Sequence, residues 1–269
     1  MTAVNIPEAQ TFTVGQTDFP FVEYGERDSR RPLMLLHGIS MPPTHWGEFP
    51  EELGRYTVAL GLPAGKHAPA VPMLRSYSKI MAKAIHEVAG EHYDLLGLSW
   101  GGLLAQQVAL DDSDGLGRLV LAGTIPAAPV PFLGMPDFTA IKTVWSAKRS
   151  PGGAAAVYGG DFRKNPELAA KFASMLDRRI NAHEHARQLF AAAFSAPLVM
   201  RRMMQIEAPP TLVLAGDDDP IAPYHSAKLA AHILGVEFKT IPGGGHGFLL
   251  TRAAESAGIV NNFLDRTET

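Results

Sequence analysis

The chain has 269 residues, of which 46% are hydrophobic and 19% charged, and its net charge is −3. That balance fits a globular protein with one large core, or one core plus a subdomain, and it supplies neither a basic stripe for nucleic acid nor a polybasic run for an anionic membrane. Cysteine is absent, which removes disulfides, thiolate metal sites and cysteine nucleophiles; residues 1–7 carry no basic or apolar leader and no apolar stretch is long enough to span a bilayer, so a cytoplasmic protein is expected.

Residues 11–14 and 19–24, split by Gly15 and Asp18, read as two short strands forming a hairpin at a sheet edge. Pro32-Leu33-Met34-Leu35-Leu36-His37-Gly38 is an unbroken apolar run ending in glycine. Unbroken rather than alternating apolar residues predict a strand buried on both faces, as in a parallel sheet. Residues 56–60 give another strand, and 76–89 a helix with Ile80, Ala84, Ile85 and Val88 on one side. A strand follows at 93–98, then a helix from Gly102 and a strand at 118–122.

After Gly123 the character changes. Residues 125–136 are proline-rich and irregular. A helix is expected over 166–180, with Asn165 as its cap and Pro166 in its first turn. Two more are expected over 184–194 and 198–206, and no strand between 125 and 207. Alternation resumes with a strand at 211–215, a helix at 227–234, a strand at 237–241 and a helix at 253–264. The predicted class is α/β, a mostly parallel sheet with helices on both faces. Residues 1–124 and 207–269 would form the core, and 125–206 a helical lid above the C-terminal edge of the strands.

Gly97-Leu98-Ser99-Trp100-Gly101 sits at the strand-to-helix junction after residue 98. A serine in this G-x-S-x-G setting matches a nucleophile elbow, where glycines permit the sharp turn and the hydroxyl stands at a helix N-terminus. In an open parallel sheet the loops after the strands gather along one edge, and ligands bind there. Three further loops then become neighbours of Ser99: His37-Gly38-Ile39-Ser40, Asp217-Asp218-Asp219-Pro220 and Gly243-Gly244-Gly245-His246-Gly247. Serine needs an adjacent base, which His246 can supply, and an acid must orient that imidazole. Asp219 is the favoured acid because a residue before proline is held extended, with Asp218 in reserve. The backbone N–H groups of Ile39 and Trp100 are assigned to the oxyanion hole. His37 is read as structural. The bland readings are a serine that merely caps its helix, and an aspartate triplet that caps a helix or holds a hard cation. No Glu/His cluster with ligand spacing adjoins the triplet, and nothing calls for a metal or organic cofactor.

At these residues the chain resembles the α/β-hydrolase superfamily, and more narrowly the intracellular medium-chain-length poly(3-hydroxyalkanoate) depolymerases. The resemblance rests on Gly97 to Gln107, Tyr158-Gly159-Gly160-Asp161-Phe162-Arg163-Lys164-Asn165-Pro166-Glu167-Leu168-Ala169, Pro210 to Pro220, and Gly245 to Ala253. It implies a serine esterase acting on 3-hydroxyacyl ester bonds at polymer granules, with Ser99, Asp219 and His246 at the triad positions. One departure is Gly61-Leu62-Pro63-Ala64-Gly65-Lys66-His67, where the superfamily often carries an aspartate and a D-x-P-G-x-G-like turn. This departure is expected to alter one wall of the site. Phe132, Met135, Phe138, Trp145, Phe190, Phe194, Met200, Met203 and Met204 make the lid apolar, and a mostly apolar pocket suits an acyl chain. The alternatives are a thioesterase, lactonase or cyclase acting on a soluble ester or thioester, and a non-catalytic ligand-binding protein on the same fold.

Overall fold

Unbroken apolar runs become strands because each parity of residues enters a different core. Met34, Leu36, Val58, Leu60, Leu95, Leu119, Leu121 and Val213 face one apolar cluster, and Leu33, Leu35, Ala59, Leu96, Leu98, Val120, Leu212 and Leu214 face the other. Each leucine fully removed from water contributes about 1.5–3 kcal/mol before chain entropy is charged against it. The computed structural model describes residues 7–124, 153, 155, 158–175, 182–203 and 209–266.

Among the described residues one sheet holds eight strands. They are β1 (Gln10–Val14), β2 (Thr17–Tyr24), β3 (Leu33–Leu36), β4 (Thr57–Leu60), β5 (Tyr93–Leu98), β6 (Leu116–Ala122), β7 (Thr211–Gly216) and β8 (Glu237–Ile241). Their order is β1-β2-β4-β3-β5-β6-β7-β8. β1 and β2 form the expected edge hairpin, β2 runs antiparallel to β4, and every pairing from β4 to β8 is parallel.

The helices are α1 (Phe49–Leu53), α2 (Leu74–Ala89), α3 (Trp100–Asp111), α4 (Asp161–Lys164), α5 (Pro166–Met175), α6 (Ala182–Met203), α7 (Tyr224–Leu234), α8 (Phe248–Thr251) and α9 (Ala253–Leu264). α2, α3, α6 and α7 cover one face of the sheet, and α1, α8 and α9 the other. The buried face of α2 is centred on Tyr77, Met81, Ala84 and Ile85; Ile80 and Val88 lie at its half-buried margin rather than at its middle. Asn165 caps α5 as expected, its side-chain oxygen accepting the Leu168 N–H at 3.0 Å.

The two helices expected over 184–194 and 198–206 are one helix, α6. Pro197 removes one i→i−4 hydrogen bond, but the backbone stays helical through it. Tertiary contacts hold both sides: Ser195 Oγ accepts the Leu74 N–H at 3.0 Å, and Val199 and Met203 are buried in the core. The proline-rich stretch 125–136, and with it Phe132, Met135, Phe138, Trp145 and Met204, lies outside the described residues. No helix among the described residues is long and apolar enough to cross a membrane.

Candidate active site

β5 delivers Ser99 to the head of α3 through a turn that only small residues allow. A side chain on Gly97 would meet the Gly101 carbonyl oxygen at 2.4 Å, and one on Gly101 would meet the Leu36 carbonyl oxygen at 2.1 Å. Ser99 itself adopts φ 55° and ψ −118°, an unfavourable left-handed backbone for a residue with a Cβ. The turn is held by the Ser99 N–H to the Ala122 carbonyl at 2.9 Å, and by the Gly102 N–H to the Ser99 carbonyl at 2.9 Å. The half-buried Ser99 hydroxyl is thereby aimed at the ends of the neighbouring strands.

His246, on the loop after β8, meets it. Its Nε2 lies 2.9 Å from Ser99 Oγ, and its Nδ1 lies 2.8 Å from Asp219 Oδ2. With Nδ1 against a carboxylate, the ring proton belongs there, and Nε2 is left to accept from the serine hydroxyl. His246 and Asp219 are both buried.

The three consecutive aspartates after β7 do three different things. Asp219 turns inward to His246, and its other oxygen accepts the N–H groups of Ile221 and Ala222 at 2.8 and 2.9 Å, which fixes its rotamer. Asp218 turns outward, accepting the Gly160 N–H at 3.0 Å and pairing with the Arg163 guanidinium. Asp217 accepts the N–H of Gly243 on the β8 loop. Among the described residues no group of three His, Asp or Glu side chains is gathered as a metal site.

The loop after β3 closes the opposite side. The Gly38 carbonyl accepts the Met41 N–H at 3.1 Å and the His37 Nδ1–H at 2.9 Å. Among the described residues no acceptor takes the N–H of Ile39 or of Trp100, the first residue of α3. Both residues line a cavity of about 220 Å³ that opens onto Ser99 and His246. Its other walls include Met41, Leu103, Phe172, Leu189, Ile221 and Leu250, so it is largely apolar.

Sequence reasoning placed the four loops but not what fastens them from outside. The Tyr158 carbonyl accepts the His246 N–H at 2.6 Å. A side chain on Gly160 would meet the Gly245 nitrogen at 2.2 Å, and one on Gly159 the Asp218 carbonyl oxygen at 2.3 Å. Both glycines have positive φ. Asp161 takes a two-pronged ion pair from Arg252, at 2.7 and 3.1 Å, between α8 and α9. The Tyr158 to Asp161 segment is thus pressed onto the loops bearing Asp219 and His246. Its paired glycines were the signal for so close an approach.

The departure at Gly61 has a local cause. A side chain there would meet Pro20 Cγ at 2.5 Å and Pro43 Cδ at 3.1 Å, so the two prolines fill the space an aspartate would need. Residues 61–67 do not line the cavity, so the expected altered wall is not found there. The turn instead meets α6, the Gly65 N–H donating to Glu184 Oε1 at 3.2 Å.

Complete burial lowers the pKa of His37 from the usual 6.5 to about 4. A group whose folded pKa is depressed stabilises the fold fully above its unfolded pKa, and that contribution is lost as pH falls through the folded value. His37 is therefore expected to cost the protein about 3 kcal/mol of stability between pH 6.5 and 4. His37→Asn keeps a donor near the Nδ1 position and cannot titrate. Urea unfolding across this range should show a shallower acid loss in the variant; parallel curves would contradict the assignment.

The comparisons with known proteins agree with this architecture. A family model described as "Alpha/beta hydrolase family" matches residues 33–259. A poly(3-hydroxyalkanoate) depolymerase of Ectopseudomonas oleovorans is 33% identical over 250 residues, covering 87% of this chain and 84% of that protein. A 2-hydroxy-6-oxononadienedioate/2-hydroxy-6-oxononatrienedioate hydrolase of Burkholderia vietnamiensis is 26% identical over 208 residues, 71% of this chain and 72% of the relative. Among solved structures, a hydrolase from Pseudomonas aeruginosa PA01 superposes with a TM-score of 0.77 at 20% identity, covering 97% of this chain and 100% of that one.

Proposed function

The chain belongs to the alpha/beta hydrolase family, and from that premise we propose that it is a serine ester hydrolase working through an acyl-enzyme. Ser99 Oγ attacks the acyl carbonyl while His246 Nε2 takes its proton. Asp219 holds the imidazole in the required tautomer and stabilises the imidazolium that forms. The N–H groups of Ile39 and Trp100 receive the oxyanion. Collapse breaks the bond to the alcohol, which leaves with the proton from His246. Water, deprotonated by His246, then attacks the acyl-Ser99 ester, and the carboxylic acid departs. The observation that supports this most is the unbroken run of contacts Ser99 Oγ–His246 Nε2 and Nδ1–Asp219 Oδ2 at the mouth of an apolar cavity.

The acyl group is inferred to be hydrophobic, and a 3-hydroxyacyl ester is the favoured form. The apolar cavity supports the first inference, and the 33% identical relative named as a poly(3-hydroxyalkanoate) depolymerase supports the second. The helices within 125–206 would serve as a lid, since α5 and α6 supply Phe172, Leu189 and Ala192 to the cavity. Side-by-side kinetics on 3-hydroxyoctanoate oligomers, p-nitrophenyl octanoate and octanoyl thioester test the substrate class. The expected order places the 3-hydroxyacyl ester first in kcat/KM. A thioester preferred by more than about tenfold would replace the ester reading with the thioesterase one.

A further inference from the structure

The two loops that would bind the oxyanion are joined by one residue that lies on neither of them. Gln188, buried on α6, accepts the Ser40 N–H on its side-chain oxygen at 2.9 Å. Its backbone carbonyl accepts the Trp100 indole N–H at 2.7 Å. Ser40 follows Ile39 directly, and Trp100 follows Ser99. A single residue of a distant helix thus holds the neighbour of one oxyanion amide and the side chain of the other amide's own residue.

The Ser40 end of this clamp is under strain. Ser40 and Ser99 are the non-glycine residues with positive φ among the described residues, Ser40 at 57°. A left-handed serine persists only where its surroundings over-determine it. Here they do: Gln188 holds its N–H, and its Oγ lies 2.7 Å from His185 Nδ1, one turn earlier on α6. The φ of Ser40 sets the plane of the peptide joining it to Ile39. That plane belongs to the turn from His37 to Met41 that carries Ile39, which lines the cavity and whose N–H meets no acceptor among the described residues.

We propose that Gln188 is a positioning residue for the oxyanion hole, fixing the Ile39 and Trp100 amides in one geometry before substrate arrives. The inference rests on the serine-hydrolase reading given above. Donors held in place in advance pay no reorganisation cost when charge develops, and a displacement near 1 Å can cost about a hundredfold in rate. α6 would then be part of the site as well as its cover.

The test is Gln188→Met, which keeps volume and removes the side-chain acceptor of the Ser40 N–H while the backbone carbonyl that holds the Trp100 indole stays. Turnover of p-nitrophenyl octanoate is compared with the affinities of octylboronic acid and of octanoate. The boronic acid adds to the serine and places a tetrahedral oxyanion in the hole; octanoate fills the cavity without that adduct. The expected result is kcat lower by about tenfold to a hundredfold with KM within about twofold. Boronate affinity should fall by the same factor as kcat, with octanoate affinity unchanged. Unchanged kcat and boronate affinity would overturn the proposal, and so would equal losses in boronate and octanoate affinity, which mark general damage. If the methionine variant does not fold, Gln188→Asn, which withdraws the amide oxygen by one methylene, carries the same readouts. A wild-type protein that neither turns over the ester nor binds the boronate would defeat the serine-hydrolase reading itself, and this one with it.

Discussion

Ser99→Ala is expected to lower ester turnover by roughly 10⁴–10⁶ while leaving the fold unchanged. The size follows from what is removed. No other hydroxyl is held within hydrogen-bond distance of His246 Nε2 among the described residues, so the base has nothing to activate except water. On the proposed mechanism the residual rate would come from the Ile39 and Trp100 amides and from substrate binding, neither of which the substitution removes. Stability should barely move, because the strain at φ 55° belongs to any residue with a Cβ and alanine keeps it. Steady-state kinetics, with thermal unfolding as the control, decide the matter. Activity within tenfold of wild type, about a 1.4 kcal/mol change in barrier, would remove Ser99 from the reaction.

The second large effect separates two adjacent carboxylates. Asp219→Asn should cost about 10⁴ in kcat, since an amide beside Nδ1 no longer selects the tautomer that leaves Nε2 free to accept. Asp218→Asn should cost less than about tenfold. Its partner Arg163 is half-exposed, and an ion pair of that kind contributes roughly 0–1 kcal/mol. The two variants change the same chemistry one residue apart, so composition, net charge and expression background are matched. Equal losses in kcat/KM would mean that the loop moves as a unit and that Asp219 has no separate role.

Much of the fold was legible because the parallel strands advertise themselves. Leu33 to Leu36, Leu95 to Leu98 and Leu212 to Gly216 are apolar without a break, and no half-exposed strand or surface helix would be. The loops bearing Ile39, Ser99 and Asp219 were legible for a related reason, each following such a run, whereas the His246 loop follows the polar strand Glu237–Ile241 and was marked by its three glycines. The preference for Asp219 over Asp218 came from Pro220, and the structure turns Asp219 to His246 and Asp218 to Arg163.

What stayed hidden is non-local. Gly159 and Gly160 are dictated by the backbone of Asp218 and Gly245, and Gly61 by Pro20 and Pro43, contacts no local pattern encodes. The two helices expected over 184–194 and 198–206 are one, and α6 passes through Pro197 because packing on both sides outweighs one lost hydrogen bond. Gln188 is an ordinary helical glutamine in sequence. Its two bonds, to residues 148 and 88 positions away, exist only once α6 lies against the ends of β3 and β5.

The central claim is that the Ser99 hydroxyl is made nucleophilic by His246. A fluorophosphonate traps such a hydroxyl as a stable covalent adduct, and peptide mass mapping locates it. The account predicts one adduct per chain, on the peptide carrying Ser99, absent from Ser99→Ala and formed at least about a hundredfold more slowly in Asp219→Asn. An active, folded protein that takes no label, or takes it at a serine other than Ser99, would contradict it.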